Sequence, residues 1–145
     1  MNLQHSIVLH ICSSTAWAAT KDGEYRCPSL DSEGFIHCST PDQAVEVANS
    51  LFRGQRGLVL LVIDPARVVP SIRYEDAGNG KLYPHIYGPL NVNAVVGVEV
   101  FKPSADGTFE LPARLTQSFH TVAVMSAWGP GAAQPRTSYP LTPPG

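Results

Sequence analysis

The stretch EGFIHCST, Glu33 to Thr40, decides how the rest of the chain is read. It has the period of a short strand, with Phe35, His37 and Ser39 on one face and Ile36, Cys38 and Thr40 on the other. It stops at a helix start. Thr40 is a cap residue, Pro41 suits the first helical position, and Gln43 stands three residues after the cap. Ala44, Val45, Ala48, Leu51 and Phe52 then make one apolar stripe, and Gly54 suits its end. A strand that runs into a helix with a histidine in its middle poses the functional question. His37 is a core histidine, a metal ligand, a catalytic group or a ligand-binding group.

The flanking segments set the fold class. SIVLHICS alternates, with Ile7, Leu9 and Ile11 opposite Val8, His10 and Cys12, and predicts a strand with one dry face. SSTAWAATKDG predicts a short helix or turn, capped by Ser13 or Ser14 and ended by Gly23. EYRCPSL is too short and mixed to assign. LVLLVID, Leu58 to Asp64, is apolar on both faces and predicts a central buried strand. SIRYE and NAVVGVEVF predict further strands, AGNG a turn, and FELP a short last strand. Strands outnumber helices, so the expected class is α+β, not a doubly wound sheet. Residues 1–115 are expected to form the domain. Residues 116–145, ending in GPGAAQPRTSYPLTPPG, are expected to be a Pro/Gly-rich extension, disordered at its end.

Composition excludes several function classes. The chain has 145 residues, 43% of them apolar, and a formal charge of −2. That suits one globular domain and no broad nucleic-acid or membrane surface. No apolar run is long enough to span a bilayer, and no signal peptide is read. Three cysteines without Cys-x-x-Cys spacing suit free thiols in a reducing cytoplasm.

Three histidines sit in strand or strand-flanking contexts beside other polar groups: His10, His37 and His85. Each alone is read most simply as a buried histidine bonded to a backbone carbonyl. Together they suggest one cleft. A zinc site lacks any ligand spacing, so no metal is expected. A Cys38/His nucleophile is a further alternative. Common phosphate loops are absent, but Ser39 and Thr40 stand where helix N–H groups could meet an anion. In SIRYE, Arg73 and Glu75 share a face as a solvated ion pair or as site residues. In PHIYGPL, Tyr87 is packing or a platform for a flat ring.

The order LHI, EGFIHCST, LVLLVIDPARV, RYED and PHIYGPLNVNAVVGV, from Ile7 to Leu111, resembles the bacterial family known as domain of unknown function 952. The resemblance implies an ADP-ribosyltransferase-like split β-sandwich that grips NAD in a cleft. It implies that His10 holds a ribose and that FIHCST lines a nicotinamide pocket. The family of such enzymes carries a catalytic glutamate near the place where this chain has His85. The implied function is binding of NAD or an ADP-ribose-like nucleotide, with ADP-ribosyl or related phosphotransfer chemistry. His37 and His85 would be catalytic, and His10, Ser39, Thr40, Arg73, Glu75 and Tyr87 would bind the ligand. The alternative is a non-catalytic nucleotide-binding or interaction module. The expected partner is a small nucleotide, with no membrane and no nucleic acid.

Overall fold

The computed structural model describes residues 7–115. The chain falls into two units, Ser6–Leu111 and a second made of Met1–His5 with Pro112–Gly145. Every element below belongs to the first. The extension expected over residues 116–145 lies outside the described residues.

In chain order the elements are β1 (Val8–Ser13), α1 (Ser14–Ala18), β2 (Glu24–Tyr25), α2 (Pro28–Ser32), β3 (Ile36–His37), α3 (Pro41–Leu51), β4 (Leu58–Ile63), β5 (Ser71–Asp76), β6 (Leu82–Tyr87), β7 (Leu90–Asn91) and β8 (Val95–Phe101). One antiparallel sheet has the order β1-β4-β8, a second β3-β6-β5, and β2 pairs with β7. The fold is α+β, as its alternating segments predict.

β4 is central because it is apolar on both faces. All six of its residues are buried. Val59, Leu61 and Ile63 join Val8, Tyr25, Ile36, Ile86 and Leu90 in the main core. On the other face Leu58 pairs across the ladder with Phe101, whose ring stacks on Phe109 at 4.8 Å. Phe109 is therefore an anchor in irregular chain, not part of the strand predicted for FELP. In β1 the row of Val8, His10 and Cys12 is buried throughout, whereas on the other row Leu9 is buried and Ile11 and Ser13 are partly exposed. β1 lies between the main core and α3, which packs against it.

Two other expectations are revised. α1 starts at the Ser13 cap, whose hydroxyl accepts from Ala16 N–H at 3.0 Å, but it ends at Ala18, well before Gly23. Lys21 and Glu24 exchange backbone hydrogen bonds there and turn the chain into β2. The unassigned EYRCPSL holds β2 and the start of α2.

α3 begins where Thr40, Pro41 and Gln43 place it. Thr40 and Gln43 form a capping box, in which Gln43 Oε1 accepts from Thr40 N–H at 3.0 Å. Gln43 Nε2 also donates to the Leu82 carbonyl at 2.7 Å, tying the helix start to β6. Thr40→Ala is expected to cost about 1 kcal/mol, read as a lower denaturation midpoint; an unchanged midpoint would show that the cap contributes nothing.

β6 turns into β7 at Gly88, whose φ is +153° and whose added Cβ would lie 3.0 Å from Pro70 Cβ. Gly88→Ala is expected to destabilise by about 1–3 kcal/mol through strain and overlap. Equal stability of the variant in urea would contradict that account.

Candidate functional site

The sheet splits between β1 and β3, and the site lies at the split. Leu9 and Ser39 exchange two backbone hydrogen bonds of 2.8 Å each. In an unbroken antiparallel ladder the next such pair would be Ile11 and His37. At that point the His10 imidazole takes over. Its Nδ1 bonds the His37 carbonyl at 2.6 Å and its Nε2 bonds the Tyr25 hydroxyl at 2.9 Å. A carbonyl only accepts, so Nδ1 carries the hydrogen and Nε2 accepts from Tyr25. Burial lowers the His10 pKa from 6.5 to about 4, outweighing the opposite pull of the His37 carbonyl. His10 is thus a neutral, buried tie across the split.

This changes the part that the resemblance implies for His10. Both ring nitrogens already have protein partners, so a ribose hydroxyl would have to displace one of them. Tyr25, which fixes the second nitrogen, had no signal in the sequence.

A cleft of about 500 Å³ opens beside the split, and His10, His37 and His85 all line it. Leu9, Ile11, Val47, Leu51 and Phe52 form its apolar wall. Ser39, Asn79, Tyr83 and Glu46 add polar groups. Strand register explains why two of the histidines meet. His37 lies directly opposite His85 in the β3–β6 ladder, and opposed residues share a face. Their ring centroids are 5.3 Å apart and nearly perpendicular.

Each of these two rings has its own carboxylate. His85 Nδ1 meets Glu75 Oε1 at 2.8 Å, and the same oxygen accepts from the Tyr87 hydroxyl at 2.5 Å. His37 Nε2 meets Glu33 Oε2 at 3.0 Å. The hydrogen bonds from Tyr87 and His85 hold the Glu75 carboxyl below its ordinary range, and the same bond raises the Tyr87 phenol. In the neutral tautomer whose Nδ1 donates to Glu75, the lone pair of His85 is on Nε2. Phe35 stacks on His85 with centroids 4.0 Å apart, holding the ring flat against it. His85 is 5% exposed, whereas the His37 side chain is about half exposed. Chemically, the pair offers one buried, carboxylate-held base beside one solvent-reachable imidazole.

Of the other expected site residues, Thr40, Arg73, Glu75 and Tyr87 fall outside the cleft lining. Arg73 and Glu75 are not an ion pair with each other: Glu75 holds His85 and Tyr87, while the Arg73 guanidinium lies over the Tyr87 ring at 4.6 Å. Tyr87 is therefore already covered by Arg73 and is no open platform. Ser39 lines the cleft, and its backbone groups serve the split. Thr40 donates its hydroxyl to Asp42 Oδ1 at 2.5 Å. Pro41 has no N–H, and Gln43 and Ala44 donate to the Thr40 carbonyl. The helix start is occupied by its own carboxylate and caps, which leaves a phosphate little to bind.

Cys38 belongs to the core. It is 5% exposed, and burial pushes its thiol up, away from the thiolate that a nucleophile needs. Among the described residues no group of three or more His, Cys, Asp or Glu side chains is arranged to hold a metal. No helix among them is long and apolar enough to cross a membrane.

The profile of the family described as "Protein of unknown function (DUF952)" matches residues 11–98, a span that begins just after His10 and holds both imidazole–carboxylate pairs and β4. The chain belongs to the DUF952 family. It is similar to protein CC0527 from Caulobacter crescentus, whose crystal structure superposes with a TM-score of 0.70 at 33% identity, over 77% of this chain and 99% of that one. The solution structure of CC0527 gives a TM-score of 0.66 at the same identity, covering 97% of its chain. No curated protein matches the chain. The DUF952 description names no activity, so the site itself must carry the functional reading.

Proposed function

We propose that this DUF952 protein is a small enzyme whose cleft binds NAD or an ADP-ribose-like nucleotide. The observation that carries the reading is the Glu75–His85 pair, backed by Tyr87 and faced by His37, at the wall of the cleft. The resemblance to ADP-ribosyltransferase-like split sandwiches supports the ligand class. In those enzymes a glutamate stabilises positive charge developing on the sugar. Here Glu75 brings a carboxylate to His85 from the neighbouring strand β5, so the negative charge is supplied one strand away.

In this reading the ring of the ligand lies against the apolar wall of the cleft. A water or acceptor hydroxyl bonds the sugar carbon as the bond from that carbon to nicotinamide breaks, nicotinamide leaves as a neutral base with the electron pair, and His85 Nε2 takes the hydroxyl proton while Glu75 stabilises the resulting imidazolium. His37, reachable by solvent and facing His85, offers a route for that proton to water. The three free cysteines suit a reducing compartment such as the cytoplasm.

Incubation with NAD, with free nicotinamide followed over time, tests the catalytic reading. Release that is lost in His85→Ala supports it. A second reading, a binding module without turnover, is favoured by the commitment of His10 to the sheet split. Nucleotide binding by calorimetry without nicotinamide release would select that reading.

A further inference from the structure

The charges around the cleft are unevenly placed. Among the described residues that line it, Glu46 is the only Asp, Glu, Lys or Arg. Lys81 neutralises Glu46, with Nζ 2.7 Å from Oε1. The α3 start offers an acidic first turn in Asp42. A phosphate buried in the cleft would therefore meet no cation free to receive it.

The sheet face beside the cleft differs. The registers set His37 opposite His85, and His85 opposite Arg73, in one row across β3, β6 and β5. Arg73 and Lys81 are the cations on β5, β6 and the turn that joins them. Lys81 is tied to Glu46, whereas no carboxylate lies within ion-pair distance of Arg73 among the described residues. The Tyr87 ring, 4.6 Å from Cζ, holds the guanidinium without using its donors. Glu75, whose charge is felt by Arg73, spends one oxygen on both Tyr87 and His85.

We propose that Arg73 is the anion subsite of this ligand site, and that the ligand class is a nucleoside phosphate whose uncharged ring enters the cleft while its phosphate stays outside, on Arg73. This rests on the nucleotide reading above. Strands lie about 4.8 Å apart, so the row from His37 to Arg73 spans roughly 10 Å, the reach of a nucleoside monophosphate from base to phosphate. The sugar then passes the edges of the two imidazoles, because Phe35 already covers the face of His85. The planar fork of Arg73 suits two phosphate oxygens at once.

Calorimetry with adenosine and with adenosine monophosphate tests the subsite on the wild type, Arg73→Gln and Lys81→Gln. Arg73 and Lys81 are on the surface, and melting curves confirm that both variants fold. The wild type is expected to bind the monophosphate at least tenfold more tightly than adenosine, with the advantage shrinking at high salt. Arg73→Gln should remove that advantage and leave adenosine binding as it was; Lys81→Gln should keep it. An advantage that survives Arg73→Gln, is absent from the wild type, or is lost in Lys81→Gln overturns the subsite while leaving the nucleotide reading standing. If neither compound binds the wild type, the nucleotide reading falls and the subsite with it.

Discussion

Between pH 7 and pH 4.5 the domain is expected to lose on the order of 2–3 kcal/mol of stability through His10 alone. The sign follows from its burial. In the folded chain His10 is neutral and its pKa is lowered from 6.5 to about 4. In the unfolded chain it titrates near the ordinary histidine value. Across this window the unfolded state takes up a proton that the folded state refuses, so stability falls as pH falls. The contribution is complete above the unfolded value and lost by the time pH passes below the folded one. Protonation would put a hydrogen on Nε2, which now accepts from Tyr25 at 2.9 Å. Urea denaturation at a series of pH values measures the slope. His10→Asn keeps a donor near Nδ1 for the His37 carbonyl but cannot titrate. Its slope over the same window should be much flatter, although it is less stable at pH 7 because the Tyr25 hydroxyl loses its acceptor. Equal slopes in the two proteins would remove His10 from the account.

Glu75→Gln is expected to lower turnover of NAD by about 100-fold or more, the usual scale of a general acid–base contribution, with ligand affinity little changed. The substitution keeps the shape of the side chain and an oxygen for Tyr87 and His85. It removes the charge that stabilises an imidazolium on His85. His85→Ala removes the base itself and should cost at least as much. Tyr87→Phe deletes only one of the two bonds to Glu75 Oε1 and should cost less than either. A Glu75→Gln rate equal to wild type would show that the pair is structural. A loss confined to KM would show that Glu75 binds the ligand and takes no part in proton transfer.

The helix start at Thr40 and the central strand β4 were legible because each rests on a local signal: a capping box in one, an unbroken apolar run in the other. The meeting of His37 with His85 was only half legible. Alternation places Phe35, His37 and Ser39 on one face, but the register that sets His37 against His85 depends on a pairing between residues 48 positions apart. Glu33 could have been found, since it stands four residues before His37. Tyr25 could not, because its two-residue strand carries no period, and its pairing with β7 is long-range. For His10 a bond to a backbone carbonyl was one of the readings left open, but which carbonyl was not legible, for a related reason. Sequence shows a polar residue on a strand, but not that the neighbouring strand diverges there and presents the His37 carbonyl. Arg73 and Glu75 were placed on one face, yet their partners come from β6, so their separation was invisible.

The central claim is that the cleft wall around His37 and His85 is a ligand site. An ¹H–¹⁵N NMR titration of the folded protein with ADP-ribose tests it most directly, with side-chain imidazole nitrogens observed beside backbone amides. The account predicts saturable shifts at His85 Nε2, His37, Ser39 and Asn79, with His10 Nδ1 still bonded to the His37 carbonyl and little change along β8. Shifts confined to β8 or to the β2–β7 pair, or no shifts at millimolar nucleotide, would contradict it.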